Sequence, residues 1–198
     1  MYTLVKSKFN VSVMATLLLE DGTIESELPE IVRELEALGI YLKHYDPGTS
    51  LLFPDLLGQE LLTDGEKHHI VDLHNSVLEF LQQENGSLWC DLLNVHPGLP
   101  NLDTFITTYS QYHTHTAPES LYVLAGEMIF GFVKPDGSQI QLLVESQDYL
   151  HIPPGVEHWC SPTASLHCKA VRYFSTADGW LPNYTGTQLS DSMNKPGY

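Results

Sequence analysis

A chain of 198 residues with 42% hydrophobic side chains can bury a core as one domain and is too apolar for global disorder. Its formal net charge of −16, from 9 Lys and Arg against 25 Asp and Glu, repels nucleic-acid phosphates and anionic lipid. Neither nucleic acid nor a membrane surface is therefore an expected partner. Cys90, Cys160 and Cys168 are odd in number and widely spaced, which argues against a disulfide framework and for a reducing compartment. The first residues lack an apolar run long enough to span a membrane and a small-x-small cleavage site. The cytoplasm is the expected location.

The opening residues, with Val11, Val13 and Ala15 in alternation and then Leu17, Leu18 and Leu19, read as strand up to the turn Glu20-Asp21-Gly22. Leu28, Ile31, Leu35 and Leu38 are spaced by three and four, which predicts a helix over 28–38. Pro29 suits its first turn and Gly39 its end. Residues 44–60 carry Pro47, Gly48, Pro54 and Gly58 and read as irregular. Thr63-Asp64-Gly65-Glu66 has the form of a capping box. It opens a second helix over 64–84, with Ile70, Leu73, Val77, Leu78 and Leu81 as the buried stripe and Asn85-Gly86 as its stop. His68, His69 and His74 on that helix read as surface or half-buried histidines.

From residue 88 the pattern turns to period two. Strands are predicted at 88–95, 104–113, 119–125, 127–134, 139–145, 148–153 and 167–175, with Gly126 and Pro135-Asp136-Gly137-Ser138 as turns. The expected fold is mainly β: an antiparallel β-barrel or jelly roll with two flanking N-terminal helices. One domain is expected over 1–187, including the helical flank, with a C-terminal tail at 188–198.

The chemistry concentrates in His113-Thr114-His115-Thr116-Ala117-Pro118-Glu119. On an extended strand residues 113 and 115 share a face, so two imidazoles point into one volume. Pro118 helps turn the chain, and Glu119 opens the next strand within reach of the same centre. After the Pro153-Pro154-Gly155 turn, His158 supplies a third imidazole. Three ring nitrogens and a carboxylate make a borderline-soft set suited to Fe, Ni, Mn, Co or Zn. Four protein ligands leave coordination positions open, as catalysis requires. Cys160, two residues past His158, reads as pocket wall rather than ligand. His151, two residues before Pro153 on a strand, is not assigned a role at the metal on residue type alone.

These motifs resemble the cupin superfamily: HxHxxxE followed by Gly at His113, His115, Glu119 and Gly126, and PxGxxH at Pro153, Gly155 and His158. Within it the chain is similar to the acireductone dioxygenase family. Leu88-Trp89-Cys90-Asp91-Leu92-Leu93, Glu157-His158-Trp159, Lys169-Ala170-Val171-Arg172-Tyr173-Phe174 and Asp178-Gly179-Trp180-Leu181-Pro182-Asn183-Tyr184-Thr185-Gly186 match its characteristic segments in order over roughly 12–187. The resemblance implies one Fe2+ or Ni2+ ion per chain on His113, His115, Glu119 and His158. It implies cleavage of 1,2-dihydroxy-3-keto-5-methylthiopentene by O2 in methionine salvage. The iron form yields formate and 4-methylthio-2-oxobutanoate; the nickel form yields formate, carbon monoxide and 3-methylthiopropanoate. Small molecule and O2 are then the partners of a monomer, with a homo-oligomer left open. Arg172 is the expected catalytic cation, and Tyr109 and Trp159 are expected walls for the methylthio tail.

The chain departs from the family where EVR would follow the motif's Glu. Here the order is Glu119-Ser120-Leu121, so Leu121 faces the pocket in place of a guanidinium. Cys160 stands where the family has an aromatic after HisTrp. These changes leave two alternatives open: a metal-dependent cupin acting on another small enediol or hydroxy-keto compound, and a non-catalytic small-ligand cupin.

Overall fold

The structure is a computed structural model and describes residues 15–45, 54–74, 79–80, 82–83, 86–176 and 180–193. Several expectations lie outside the described residues: the strand residues Val11 and Val13, the loop residues Pro47 and Gly48, the helical residues Val77, Leu78 and Leu81, Asn85 of the helix stop, and Asp178-Gly179 of the C-terminal motif.

In chain order the elements are β1 (Thr16–Leu19), β2 (Ile24–Glu25), α1 (Leu28–Glu36), β3 (Tyr41–His44), α2 (Pro54–Leu57), α3 (Asp64–Leu73) and β4 (Trp89–Val95). There follow α4 (Leu102–Tyr109), β5 (His113–Thr114), β6 (Glu119–Val133), β7 (Gln139–Glu145), β8 (Asp148–Ile152), β9 (His158–Pro162), β10 (Cys168–Phe174) and β11 (Asn183–Tyr184). Pro29 lies in the first turn of α1, and Ile31 and Leu35 are buried. At α3 the capping box forms: Thr63 Oγ1 accepts from Glu66 N–H at 3.3 Å, and Glu66 Oε2 accepts from Thr63 N–H at 2.8 Å.

The mainly antiparallel β architecture stands, but the expected closed barrel does not. The strands run in an open order β11-β5-β9-β6-β7-β1-β2, and β3-β8-β6-β10-β4 branches from it. The physical reason lies in β6. Its first half, 119–126, pairs with β8 and β10, whereas its second half, 127–133, pairs with β7 and β9. One long strand thus belongs to two sheets, and no pairing joins their far edges among the described residues.

Gly126, expected to be a turn, is instead the kink inside β6. Its φ is +77°, and a Cβ there would lie 1.9 Å from the His167 carbonyl oxygen. Beside it the β6–β10 register slips, so that Lys169 faces Ala125 and Ala170 faces Val123. This bulge reverses which residues face inward. Leu121 and Val123 point to the core before it; Met128, Phe130 and Phe132 do so after it. They pack with Leu17, Ile140, Leu142, Val144, Leu150, Ile152 and Ala170. On the opposite face of β6, Tyr122 and Leu124 join Leu57, Ile70, Tyr149, Val171 and Tyr173 beneath α2 and α3.

Two further expectations change. Residues 104–113 are not one strand: they form the end of α4 and the start of β5. Leu102, Phe105, Ile106 and Tyr109 follow the helical spacing of three and four, masked by the β-branched run Thr104, Ile106, Thr107 and Thr108. The end of the chain also packs back. Gln139 donates to the Gln188 carbonyl and Gln141 to that of Met193, which is buried.

A Gly126→Val substitution combines a disfavoured left-handed conformation with a backbone clash. It is expected to cost at least about 2 kcal/mol, read as a lower urea midpoint.

Candidate metal centre

Strand β5 carries His113, with His115 just past its end, and β9 lies antiparallel to it with His158 directly opposite His113. Glu119 begins β6, and its carboxylate reaches the same point. One ligand atom from each of His113, His115, Glu119 and His158 lies within 4.8 Å of all the others, and all four residues are buried. The Gly155 N–H donates to the His115 carbonyl at 2.9 Å, tying the PxG turn to the HxH strand.

Hydrogen bonds set the tautomers. His113 Nδ1 lies 2.6 Å from the Gln111 carbonyl, His158 Nδ1 2.9 Å from that of Val156, and His115 Nδ1 2.9 Å from that of Leu181. Each Nδ1 must donate, because a carbonyl can only accept. In the neutral rings each Nε2 therefore carries a lone pair, and all three Nε2 atoms face inward. Such outer hydrogen bonds are the usual support of metal-bound histidine. His113 Nε2 has no hydrogen-bond partner among the described residues. His115 Nε2 approaches Glu119 Oε2 at 3.1 Å without hydrogen-bond geometry, and His158 Nε2 approaches the same oxygen at 3.2 Å. Buried, inward lone pairs beside a buried carboxylate fit a divalent transition-metal ion and little else.

The electrostatics agree. Burial pushes His113 down to about 4, keeping it neutral. Burial works against the Glu119 charge, but the neighbouring rings of His115 and His158 prevail and hold it at about 2. For His115, burial lowers and Glu119 raises, and the net shift is upward.

Beyond Glu119 lies a narrow apolar cavity with about 20 Å³ of free volume. Arg172, Leu121, Tyr109 and Cys160 all line it, as does Glu119. Arg172 is held by Asp91 in a two-pronged pair, Nε to Oδ1 at 2.9 Å and a terminal nitrogen to Oδ2 at 2.6 Å. Asp91 sits opposite Arg172 on β4, and Leu121 sits opposite it on β6. Burial, with the charge of Glu119, raises the Cys160 thiol well above its ordinary value, so it stays protonated.

Trp159 is placed elsewhere. Alternation along β9 turns it to the outer face, where it lies against Gly131; a Cβ on that glycine would come within 2.0 Å of the indole nitrogen. It lines an outer pocket with Tyr112, not the metal cavity. His151 also faces away, 2.7 Å from Ser120 Oγ. No histidine of α3 joins a metal-binding group among the described residues. Sequence reasoning missed Leu93, Phe105, Met128, Phe130 and Trp180 of the cavity wall. Phe105 and Tyr109, four apart on α4 with rings 5.3 Å apart, would have appeared together had the helix been recognised.

Comparison with known proteins identifies the family. The ARD/ARD' family model matches residues 59–182, more than half of the chain. This chain belongs to that family. It is 82% identical over 182 residues to the acireductone dioxygenase of a Nostoc species, covering 92% of this chain and 100% of that one. It is 43% identical over 176 residues to the acireductone dioxygenase of Trichodesmium erythraeum, covering 89% and 97%. Among solved structures it superposes on acireductone dioxygenase from Bacillus anthracis, which holds a cadmium ion in its active centre. The TM-score is 0.81 at 24% identity, over 87% of this chain and 99% of that one. At that identity the likeness speaks for the fold.

Because the raised His115 holds a proton that a metal must displace, metal affinity is expected to fall as pH drops through the His115 pKa. His113, at about 4, competes only in more acid solution. Elemental analysis after dialysis across about pH 5–8 reads this, and a flat profile would count against His115 as a ligand.

Proposed function

We propose that this chain is a metal-dependent dioxygenase that cleaves an acireductone of the 1,2-dihydroxy-3-keto-5-methylthiopentene type with O2 in methionine salvage. The observation that carries this reading is the cluster itself: three inward Nε2 atoms and the buried Glu119 carboxylate, opening onto an apolar cavity with a guanidinium in its wall. Fe2+ or Ni2+ is the proposed occupant, held by His113, His115, Glu119 and His158. Such an ion supplies Lewis acidity that favours the substrate's enediolate form.

The chain's own residues then have distinct tasks. Arg172 offers charged donors to the substrate's anionic end, and Asp91 fixes the fork so that its aim survives thermal motion. Leu121, Met128, Phe130 and Trp180 exclude water and supply the apolar surface that a methylthio tail needs. The protonated Cys160 adds bulk without a competing negative charge. The three free cysteines suit the cytoplasm.

Leu121 favours a second reading at the same centre, a different small enediol or hydroxy-keto compound, because it removes a charge that the family's substrate meets. Oxygen uptake on synthetic acireductone by the iron- and nickel-loaded proteins separates the two readings. Formate without carbon monoxide would mark the iron route; carbon monoxide would mark the nickel route.

Replacing Arg172 by Met removes a charge-assisted contact worth about 1.5–3 kcal/mol. The kcat/KM for the acireductone is expected to fall roughly 10–100-fold. Metal content should stay the same. An unchanged kcat/KM would take Arg172 out of substrate recognition.

A further inference from the structure

The free volume beside Glu119 is small, about 20 Å³. Next to it is a far larger outer cleft of about 370 Å³. It is bounded by Leu61, Leu62 and Lys67 on one side and by Asn94, His96 and Gly98 on the other. Leu93 and Arg172 line both spaces. The two are neighbours around the free edge of the sheet, since β4 pairs with β10 alone among the described residues.

The cleft is a built polar surface. Asn94 is 6% exposed and His96 5% exposed; Asn94 Nδ2 donates to the Glu60 carbonyl at 3.0 Å, whereas His96 Nδ1, which can donate, has no hydrogen-bond partner among the described residues. Buried polar atoms without partners are costly unless something transient meets them. Of the chain's 9 Lys and Arg, the cleft holds two, Lys67 and Arg172, and Arg172 is paired with Asp91, which leaves Lys67 as the main attraction for an anion. The carboxylate beside Lys67 is that of Asp64 at 3.3 Å, an exposed pair that water screens. On a chain of net charge −16 such a spot is where a small anion can approach.

We propose that this outer cleft is the entry vestibule of the metal cavity: small anionic chelating molecules collect between Lys67 and His96 and pass the edge of β4, with Arg172 as the hand-over point. Resting on the dioxygenase assignment, the anion is the ionised enediol. The route itself concerns any anion that reaches the metal.

Two substitutions outside the metal cavity test it. Gly98→Phe puts a ring into the cleft; a Cβ at this position makes only ordinary contact, 3.4 Å from His96 Nδ1, on a backbone without positive φ. Lys67→Glu reverses an exposed charge and leaves the core untouched. The readout is the rate at which dipicolinate, an anionic chelator, and 1,10-phenanthroline, a neutral one, strip Ni2+ from the holoprotein. Gly98→Phe is expected to slow both. Lys67→Glu is expected to slow dipicolinate roughly 10-fold at low salt, and to leave phenanthroline alone. Wild-type rates with both chelators in both variants would overturn the vestibule. If the chelator rates respond while synthetic acireductone is not consumed, the route stands and the dioxygenase assignment falls.

Discussion

The centre depends on one buried charge. Glu119 keeps its carboxylate ionised at full burial, which costs several kcal/mol unless partners compensate. Its partners are His115 and His158, and each ring is aimed by a backbone carbonyl rather than by packing alone. Two of the three aiming carbonyls, from Gln111 and Val156, lie two residues before the imidazoles they hold. The third comes from Leu181, far along the chain. The C-terminal segment is therefore part of the site: Trp180 lines the cavity, Leu181 sets the His115 tautomer, and Tyr184 pairs with His113 in the ladder.

The ligand set is legible in the sequence because its geometry is local. Residues 113 and 115 share a face on any strand, Glu119 follows a turn, and His158 follows a rigid Pro-Pro-Gly corner. The capping box of α3 is legible for the same reason. What sequence reasoning misses is non-local. A period-two pattern assumes one inward parity per strand, but the bulge beside Gly126 reverses that parity in the middle of β6. Two predicted strands are thus one, and the glycine between them is a kink whose cause, the His167 carbonyl, comes from another part of the chain. That long shared strand is also why the sheets stay open.

The cavity wall is half legible. Leu121 and Cys160 follow from alternation, given the ligand beside each: Leu121 shares the face of Glu119, and Cys160 that of His158. Trp159 fails by that same rule, since one step along β9 turns a side chain to the other side. Asp91 carries no local signal of its role. Its pairing with Arg172 depends on β4 lying beside β10 in a given register, which only the assembled sheet fixes.

The row Asp91, Arg172, Leu121 across three adjacent strands has a consequence for recognition. Arg172 is already matched by a carboxylate, and its other cross-strand neighbour is an isobutyl group rather than a second cation. The side chains of the cavity therefore bring little net positive charge to the substrate. With a divalent ion bound, its two charges less the one carried by Glu119 would leave a single positive charge at the centre, surrounded by apolar walls of low dielectric. Attraction for an anion would then come chiefly from the ion. The residues decide its orientation and exclude water, and a substrate of modest charge with an apolar tail suits that division better than a strongly charged one.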